Sequence, residues 1–266
     1  MNNDSTVHTG FEQGVATITL SRPHAFNALD YATIEGLRLA IGQAVAEPGV
    51  RAIVLRGEGR SFCGGGDVLA MHAHRDELPA FISRMIDSFH TSVMALSRAK
   101  VPVIASVQGA VAGGGISLAL ACDLVLATSG TRFVTAYAQL GASSDGGLSF
   151  WLTRRLGAAR AFELLTLHGT FTASEAHEWG LINGVIDAGS ADAEAQEWAR
   201  KLAAMAPQAV AEFKQLTAVQ GRDALQAQLD REKAAFVRCA GTEDFARRVA
   251  AFASRSQGGE SRGGHA

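Results

Sequence analysis

From Val101 to Cys122, between Lys100 and Asp123, the chain carries no acidic or basic side chain. An uncharged run of this kind, at about 20 residues, either crosses a bilayer or is buried in a core. Its interruptions decide between the two. Pro102, Gln108, Gly109 and the triplet Gly113-Gly114-Gly115 each break a continuous apolar helix. The run therefore predicts a buried strand over Val101 to Val107, a glycine turn and a buried helix, and it argues against a membrane span. A strand apolar on both sides belongs in a sheet covered on both faces.

The rest of the chain repeats that logic. Ala16, Ile18 and Leu20 alternate with Val15, Thr17 and Thr19, a period of two that predicts a strand. A helix follows, capped by Asp30, with Ile34, Leu37, Ile41 and Val45 on one face and Pro48-Gly49 as its stop. Ala52 to Leu55 reads as a short buried strand, Gly57 to Asp67 as a glycine-rich loop, and Glu77 to Ala99 as a helix through Ile82, Ile86, Phe89, Val93 and Leu96. Thr172 and Glu175 form a capping box, and Leu181 to Ile186 reads as one more strand. Strands alternating with helices predict an α/β fold with a mostly parallel sheet. Beyond that point four helices are expected, near Asp192 to Met205, Pro207 to Val219, Arg222 to Cys239 and Thr242 to Ser254. No internal repeat is visible. The expected organisation is a core over 1–190 that holds the site, a helical region over 191–255, and a Gly/Ser-rich disordered tail over 256–266.

Composition narrows the function. With a net charge of -2 and no Lys/Arg run, nothing favours nucleic acid or an anionic membrane as a partner. Cys63, Cys122 and Cys239 are widely spaced and lack a CxxC pattern, so neither a disulfide framework nor a zinc site is indicated, and a reducing cytoplasm fits. The polar Met1 to Gly10 segment has no signal-peptide pattern. Trp151, Trp179 and Trp198 are read as packing residues within helices, and Cys63 as a small buried residue rather than a nucleophile.

Two glycine segments carry chemistry. Ser61-Phe62-Cys63-Gly64-Gly65-Gly66-Asp67 follows a buried strand, where glycines let a ligand approach the backbone. Alone it is compatible with a plain turn. Gln108 to Gly115 follows a second strand and opens an apolar helix, so free amides and the positive helix end face whatever binds there. The spacing matches neither a dinucleotide fingerprint nor a P-loop. It suits an anion or an oxyanion.

With these segments in place, the chain resembles the enoyl-CoA hydratase/isomerase, or crotonase, superfamily over about Val15 to Phe252. The resemblance rests on Arg22-Pro23 with Asn27-Ala28-Leu29, Phe62-Cys63 through Asp67, Pro102-Val103-Ile104-Ala105 to Cys122-Asp123, and Glu175-Ala176 to Gly180-Leu181-Ile182. It implies a crotonase-like (ββα)n spiral core, a C-terminal helical trimerisation region, and a homotrimer or dimer of trimers. It also implies an acyl-CoA thioester substrate, CoA being part of the substrate with no separate cofactor and no metal. On this resemblance the Gly66 and Gly114 amides form the oxyanion hole, and His24, Ala25, Phe26, Gly64, Gly66, Asp67 and Val68 lie near the CoA moiety. Phe252 and Arg255 are expected to approach CoA on the same ground.

The acid/base set departs from the family's hydratases, whose two catalytic glutamates correspond here to Ser117 and Tyr137. Asp145, in Ser143-Ser144-Asp145-Gly146-Gly147, is by its residues alone an N-cap candidate. Family members that shift double bonds carry an acidic residue there, and Phe133-Val134, Ala136 and Leu140-Gly141 look most like the ring-epoxide isomerases of phenylacetyl-CoA degradation. The 4-chlorobenzoyl-CoA dehalogenases also place an aspartate there, as a nucleophile, and a histidine at the position of His90. Their bulky aromatic at the position of Gly66 is absent. By its own spacing His90 reads as a buried histidine with a satisfied partner. The expectation is an isomerase in which Asp145 shuttles a proton while Tyr137, His90 and Ser117 shape or polarise the acyl pocket. The alternatives are a hydrolase or dehalogenase using Asp145 as nucleophile, and a non-catalytic acyl-CoA binding protein.

Overall fold

The computed structural model describes residues 5–218 and 221–260. In chain order it contains β1 (Val7–Glu12), β2 (Val15–Leu20), α1 (Tyr31–Ala46), β3 (Ala52–Gly57), α2 (Val68–Ala73), α3 (Leu78–Arg98), β4 (Val103–Val107), β5 (Ala110–Ala112), α4 (Gly114–Leu120), β6 (Leu124–Thr128) and β7 (Arg132–Val134). There follow α5 (Tyr137–Leu140), α6 (Leu148–Leu156), α7 (Ala158–Thr166), β8 (Thr170–Thr172), α8 (Ala173–Glu178), β9 (Gly184–Ile186), α9 (Ala191–Ala203), α10 (Pro207–Thr217), α11 (Gly221–Ala240) and α12 (Glu243–Glu260).

The uncharged run folds as β4, β5 and α4, and among the described residues no helix is long and apolar enough to cross a membrane. The main sheet has the order β1-β2-β3-β4-β6-β9, parallel apart from the β1-β2 hairpin. A second sheet, β5-β7-β8, lies alongside, and an isolated bridge from Cys63 to Val111 extends it. The circuits β4-β5-α4 and β6-β7-α5 each leave one strand in the main sheet and one in the small sheet before a helix, and β3 with the Cys63 bridge does the same before α2. This is a ββα repeat of backbone, although no repeat shows in the sequence.

Both faces of the main sheet are covered. Ala16, Ile18, Leu20, Ile53, Leu55 and Val103 join the large core, while Val15, Ala52, Val54, Ile104 and Leu126 pack against Ala195 and Ala199 of α9. Small residues on α9 let the helix approach the strands closely. Asp30 caps α1 by accepting from the Thr33 amide at 2.8 Å, and the Thr172/Glu175 capping box is formed. Val45 turns outward at 44% exposure, because α1 buries Ala40 and Ala44 in its place.

Other expectations shift. β1 has mostly half-buried or exposed residues and no apolar alternation, and it forms by pairing with β2 across the Gln13-Gly14 turn. The strand expected from Leu181 is confined to Gly184–Ile186, since Leu181 and Ile182 sit in the core after α8. Trp179 caps α8 rather than lying within a helix, and its ring packs on Phe171. The last helix continues to Glu260 instead of giving way to a tail at 256. The remainder of that expected tail, 261–266, and Val219 lie outside the described residues.

Candidate active site

The two glycine segments meet through backbone geometry. Gly65 has φ +84°, and a Cβ on it would lie 2.7 Å from the Ala112 carbonyl oxygen and 3.4 Å from the Gly114 nitrogen. Only a residue without a side chain lets the loop after β3 press against the turn before α4. In the bridge between Leu29 and Gly66, the Leu29 amide donates to the Gly65 carbonyl and the Asp67 amide to the Leu29 carbonyl. The Gly66 N–H therefore faces away from Leu29. Gly114 is the first residue of α4, where a helix leaves its amides without internal acceptors. Neither amide has a protein acceptor among the described residues.

Both glycines line one cavity of about 30 Å³, together with Leu29, Ile34, Met71, Ile82, Met85, Ile86, Phe89, Asp145 and Phe236. Asp145 is the single ionisable group in that wall. Its carboxylate accepts from the Tyr137 hydroxyl at 2.5 Å, and Ser117 Oγ donates to its backbone carbonyl at 2.7 Å. Burial, reinforced by the nearby Glu232 charge, pushes Asp145 up to about 7 against the pull of the Tyr137 hydrogen bond. Burial and the adjacent Asp145 charge push the Tyr137 phenol well above its ordinary value, so it stays a donor.

Asp145 is not an N-cap. The residue preceding α6 is Gly147, and the side chain that caps the helix is Glu232, reaching across from α11. Glu232 accepts from the Gly147 amide at 2.6 Å, the Ser149 amide at 2.9 Å, Ser149 Oγ at 2.5 Å and Ser144 Oγ at 3.2 Å. That frees the Asp145 carboxylate for the cavity. His90, on α3, accepts from the Gly146 amide through Nε2 at 3.1 Å, which requires the neutral imidazole with its proton on Nδ1. Burial lowers its pKa to about 4. His90 is the satisfied buried histidine its spacing suggests, with its partner one residue from Asp145. It is absent from the cavity wall.

The residues expected near CoA divide. Pro23–Ala25 form a single 3-10 turn that leaves His24 and Phe26 exposed, and the Gly64 amide donates to the Phe26 carbonyl at 2.8 Å. The Arg60 guanidinium stands 4.4 Å over the Phe26 ring. Asp67 and Val68 instead face inward: Val68 is buried, and the Asp67 carboxylate caps α2 at the Ala70 amide, 3.0 Å, and pairs with Arg22 at 3.1 Å. Burial pushes the Cys63 thiol up to about 12, which rules it out as a thiolate nucleophile near neutral pH.

Sequence reasoning missed Glu232 and Phe236, although a signal for the first existed. Leu225, Leu229, Glu232, Phe236 and Ala240 recur at helical spacing and are all buried, so a carboxylate stands in an otherwise apolar stripe. Phe236, from α11, lines the cavity together with residues of 1–190.

A two-sheet ββα spiral that brings two unengaged glycine amides and a buried carboxylate to one apolar cavity defines a crotonase-fold protein. The sequence profile described as enoyl-CoA hydratase/isomerase matches residues 10–258. The chain belongs to the enoyl-CoA hydratase/isomerase family. It is similar to a 1,2-epoxyphenylacetyl-CoA isomerase of Escherichia coli (strain K12), 33% identical over 92% of this chain and 94% of the other. It is also similar to 4-chlorobenzoyl coenzyme A dehalogenase-2 of an Arthrobacter species, 30% identical over 96% and 92%. Among solved structures, an enoyl-CoA hydratase from Mycobacterium avium subsp. paratuberculosis K-10 superposes with a TM-score of 0.83, at 28% identity, covering 94% of this chain and 100% of that one.

Proposed function

We propose that this protein isomerises an acyl-CoA thioester, moving a double bond or rearranging a ring by way of an enolate. One observation carries the reading: among the described residues the only ionisable side chain in the cavity wall is Asp145, in the same small cavity as Gly66 and Gly114. Two amides aimed at the thioester oxygen favour the enolate as charge develops, each worth about 3 kcal/mol by comparison with other oxyanion holes. Asp145, lifted to about 7, is partly ionised near neutral pH. It takes a proton from one acyl carbon, holds it as the carboxylic acid, and returns it to another carbon, leaving the enzyme unchanged. Tyr137 steadies the carboxylate between the two transfers. CoA itself is placed along His24, Ala25, Phe26 and Gly64, with Arg60 beside them as a cation for its phosphates.

Similarity to a dehalogenase supports a second reading, in which Asp145 attacks the acyl group as a nucleophile. His90 argues against it, because its Nε2 already accepts from Gly146 and its imidazole is buried and neutral. Self-association into a trimer or dimer of trimers is supported by Phe162, Leu167, Phe213 and Leu216, all at least 64% exposed. A cytoplasmic setting with no cofactor beyond the CoA of the substrate completes the proposal.

The test is a panel of 2-enoyl, 3-enoyl, aryl and ring-epoxide CoA thioesters turned over in deuterated water. Deuterium entering the α or γ carbon, lost in Asp145→Asn with acyl-CoA affinity retained, supports the isomerase. An acyl group trapped on Asp145 would establish the nucleophilic reading instead. Binding without turnover or exchange of any panel member would leave a carrier.

A further inference from the structure

Glu232 is a buried carboxylate with no part in the cavity wall, yet all its partners belong to the segment that carries Asp145. Ser144 precedes Asp145 in sequence, and Gly147 and Ser149 follow it. Gln228, one turn earlier on α11, donates to Ser149 Oγ at 2.8 Å and extends the same grip. The remaining holds on the segment are the Ser117 bond to the Asp145 carbonyl and the His90 bond to the Gly146 amide. With Ser144, Gly146, Gly147 and Ser149 fixed by these bonds, the Asp145 side chain is left to meet Tyr137.

We propose that Glu232 is a positioning residue for Asp145: from α11 it fixes the 144–149 segment so that the Asp145 carboxylate faces the cavity, and its negative charge acts on that carboxylate through the segment. This rests on the acid/base reading of Asp145 given above.

The donor sets show where the charge resides. Glu232 has four neutral donors from other residues, two of them amides at the positive end of α6, whereas Asp145 has the Tyr137 hydroxyl beside its own backbone amide. Protonating Glu232 would replace an acceptor with a donor facing other donors. Burial lifts the Glu232 carboxyl and its hydrogen bonds oppose that lift, so of the two carboxylates Glu232 is the one whose surroundings favour the charge. Among the described residues, the titratable groups next to this pair are Tyr137, from α5, beside Asp145, and His90, from α3, on the Gly146 amide. Asp87 of α3 and Asp230 and Lys233 of α11 act on His90, with Lys233 held by Asp87 at 2.6 Å.

The experiment reads Asp145 directly, without substrate, by infrared difference titration of the carboxyl band in the full chain, taking Asp145→Asn as the blank in each background. The wild type should show a midpoint near 7. Glu232→Gln keeps an oxygen for the serine donors but sets an amide nitrogen against the Gly147 amide, and it removes the charge. Its midpoint should fall by about one unit, and the acidic limb of the kcat profile should move with it. Glu232→Asp keeps the charge but shortens the reach. It should hold the midpoint within about half a unit while kcat falls roughly tenfold at unchanged KM. A Glu232→Gln chain that lowers only Tm, leaving midpoint and pH profile in place, would reduce Glu232 to a structural cap. Should Glu232→Gln not fold, an unchanged kcat in Glu232→Asp overturns the proposal equally. If no substrate is turned over, the acid/base reading fails, while the infrared midpoint still decides the electrostatic part.

Discussion

Replacing Asp145 with Asn should make the protein more stable at high pH, by an amount the structure sets. Burial lifts the Asp145 carboxyl from an ordinary 3.8 to about 7. Between those values the folded chain keeps a proton that the unfolded chain has released, so stability falls as pH rises. The effect is absent below the unfolded value, where both states are protonated, and complete once pH has passed the folded value. At about 1.4 kcal/mol per unit, the interval amounts to about 4 kcal/mol as an upper value. An Asn side chain retains an oxygen for the Tyr137 hydroxyl but cannot ionise. The assay is urea denaturation of both chains at half-unit steps from about pH 4 to 8.5, plotted as the difference, so that groups common to both cancel. The variant should gain on the wild type by several kcal/mol across the interval, with the steepest change on the way to pH 7. Parallel stability curves would show that Asp145 is not held protonated, and the argument from burial would fail.

Tyr137→Phe removes the side-chain donor that favours the charged carboxylate, so the acidic limb of kcat should move to higher pH by about one unit, read from a pH-rate profile. Gly65→Ala forces a side chain to within 2.7 Å of the Ala112 carbonyl at φ +84°. It should lower kcat on the order of a hundredfold by disturbing the Gly66 and Gly114 amides, while a smaller effect than threefold would refute the close-approach argument. A Cβ at Gly66 would lie 2.7 Å from the Met71 methyl, so that side chain lines the cavity beside Gly66. Met71→Ala should widen the cavity, shifting preference toward bulkier acyl-CoA thioesters about tenfold at a stability cost of about 2 kcal/mol, measured by competition binding and denaturation.

The legible parts of the fold share a cause. Strands buried on both faces, an Asp30 cap, a capping box and glycine turns each depend on neighbours a few residues away, so the chain announces them locally. β1 was invisible because its residues bury little and its stability comes from pairing with β2. The ββα repeat was invisible because it is a repeat of path, met by different side chains on each circuit. At the site, the two glycine segments were legible from their place after strands, and Gly66 and Gly114 within them through the family resemblance. Glu232 stood out only as a carboxylate in the apolar stripe of α11, and Phe236 as part of that stripe, since nothing near them in sequence connects α11 to the Asp145 segment.

By itself, then, the sequence determined where glycines leave backbone amides free, because glycine content and helix starts are local properties, while Asp145 was drawn to them through the family resemblance. The tertiary structure alone decided what Asp145 is. Its residues fit a helix cap until Glu232, brought from α11, takes the donors at the start of α6. Whether a carboxylate caps a helix or faces a cavity depends on which competing acceptor reaches the amides, and that is settled only when distant segments pack together.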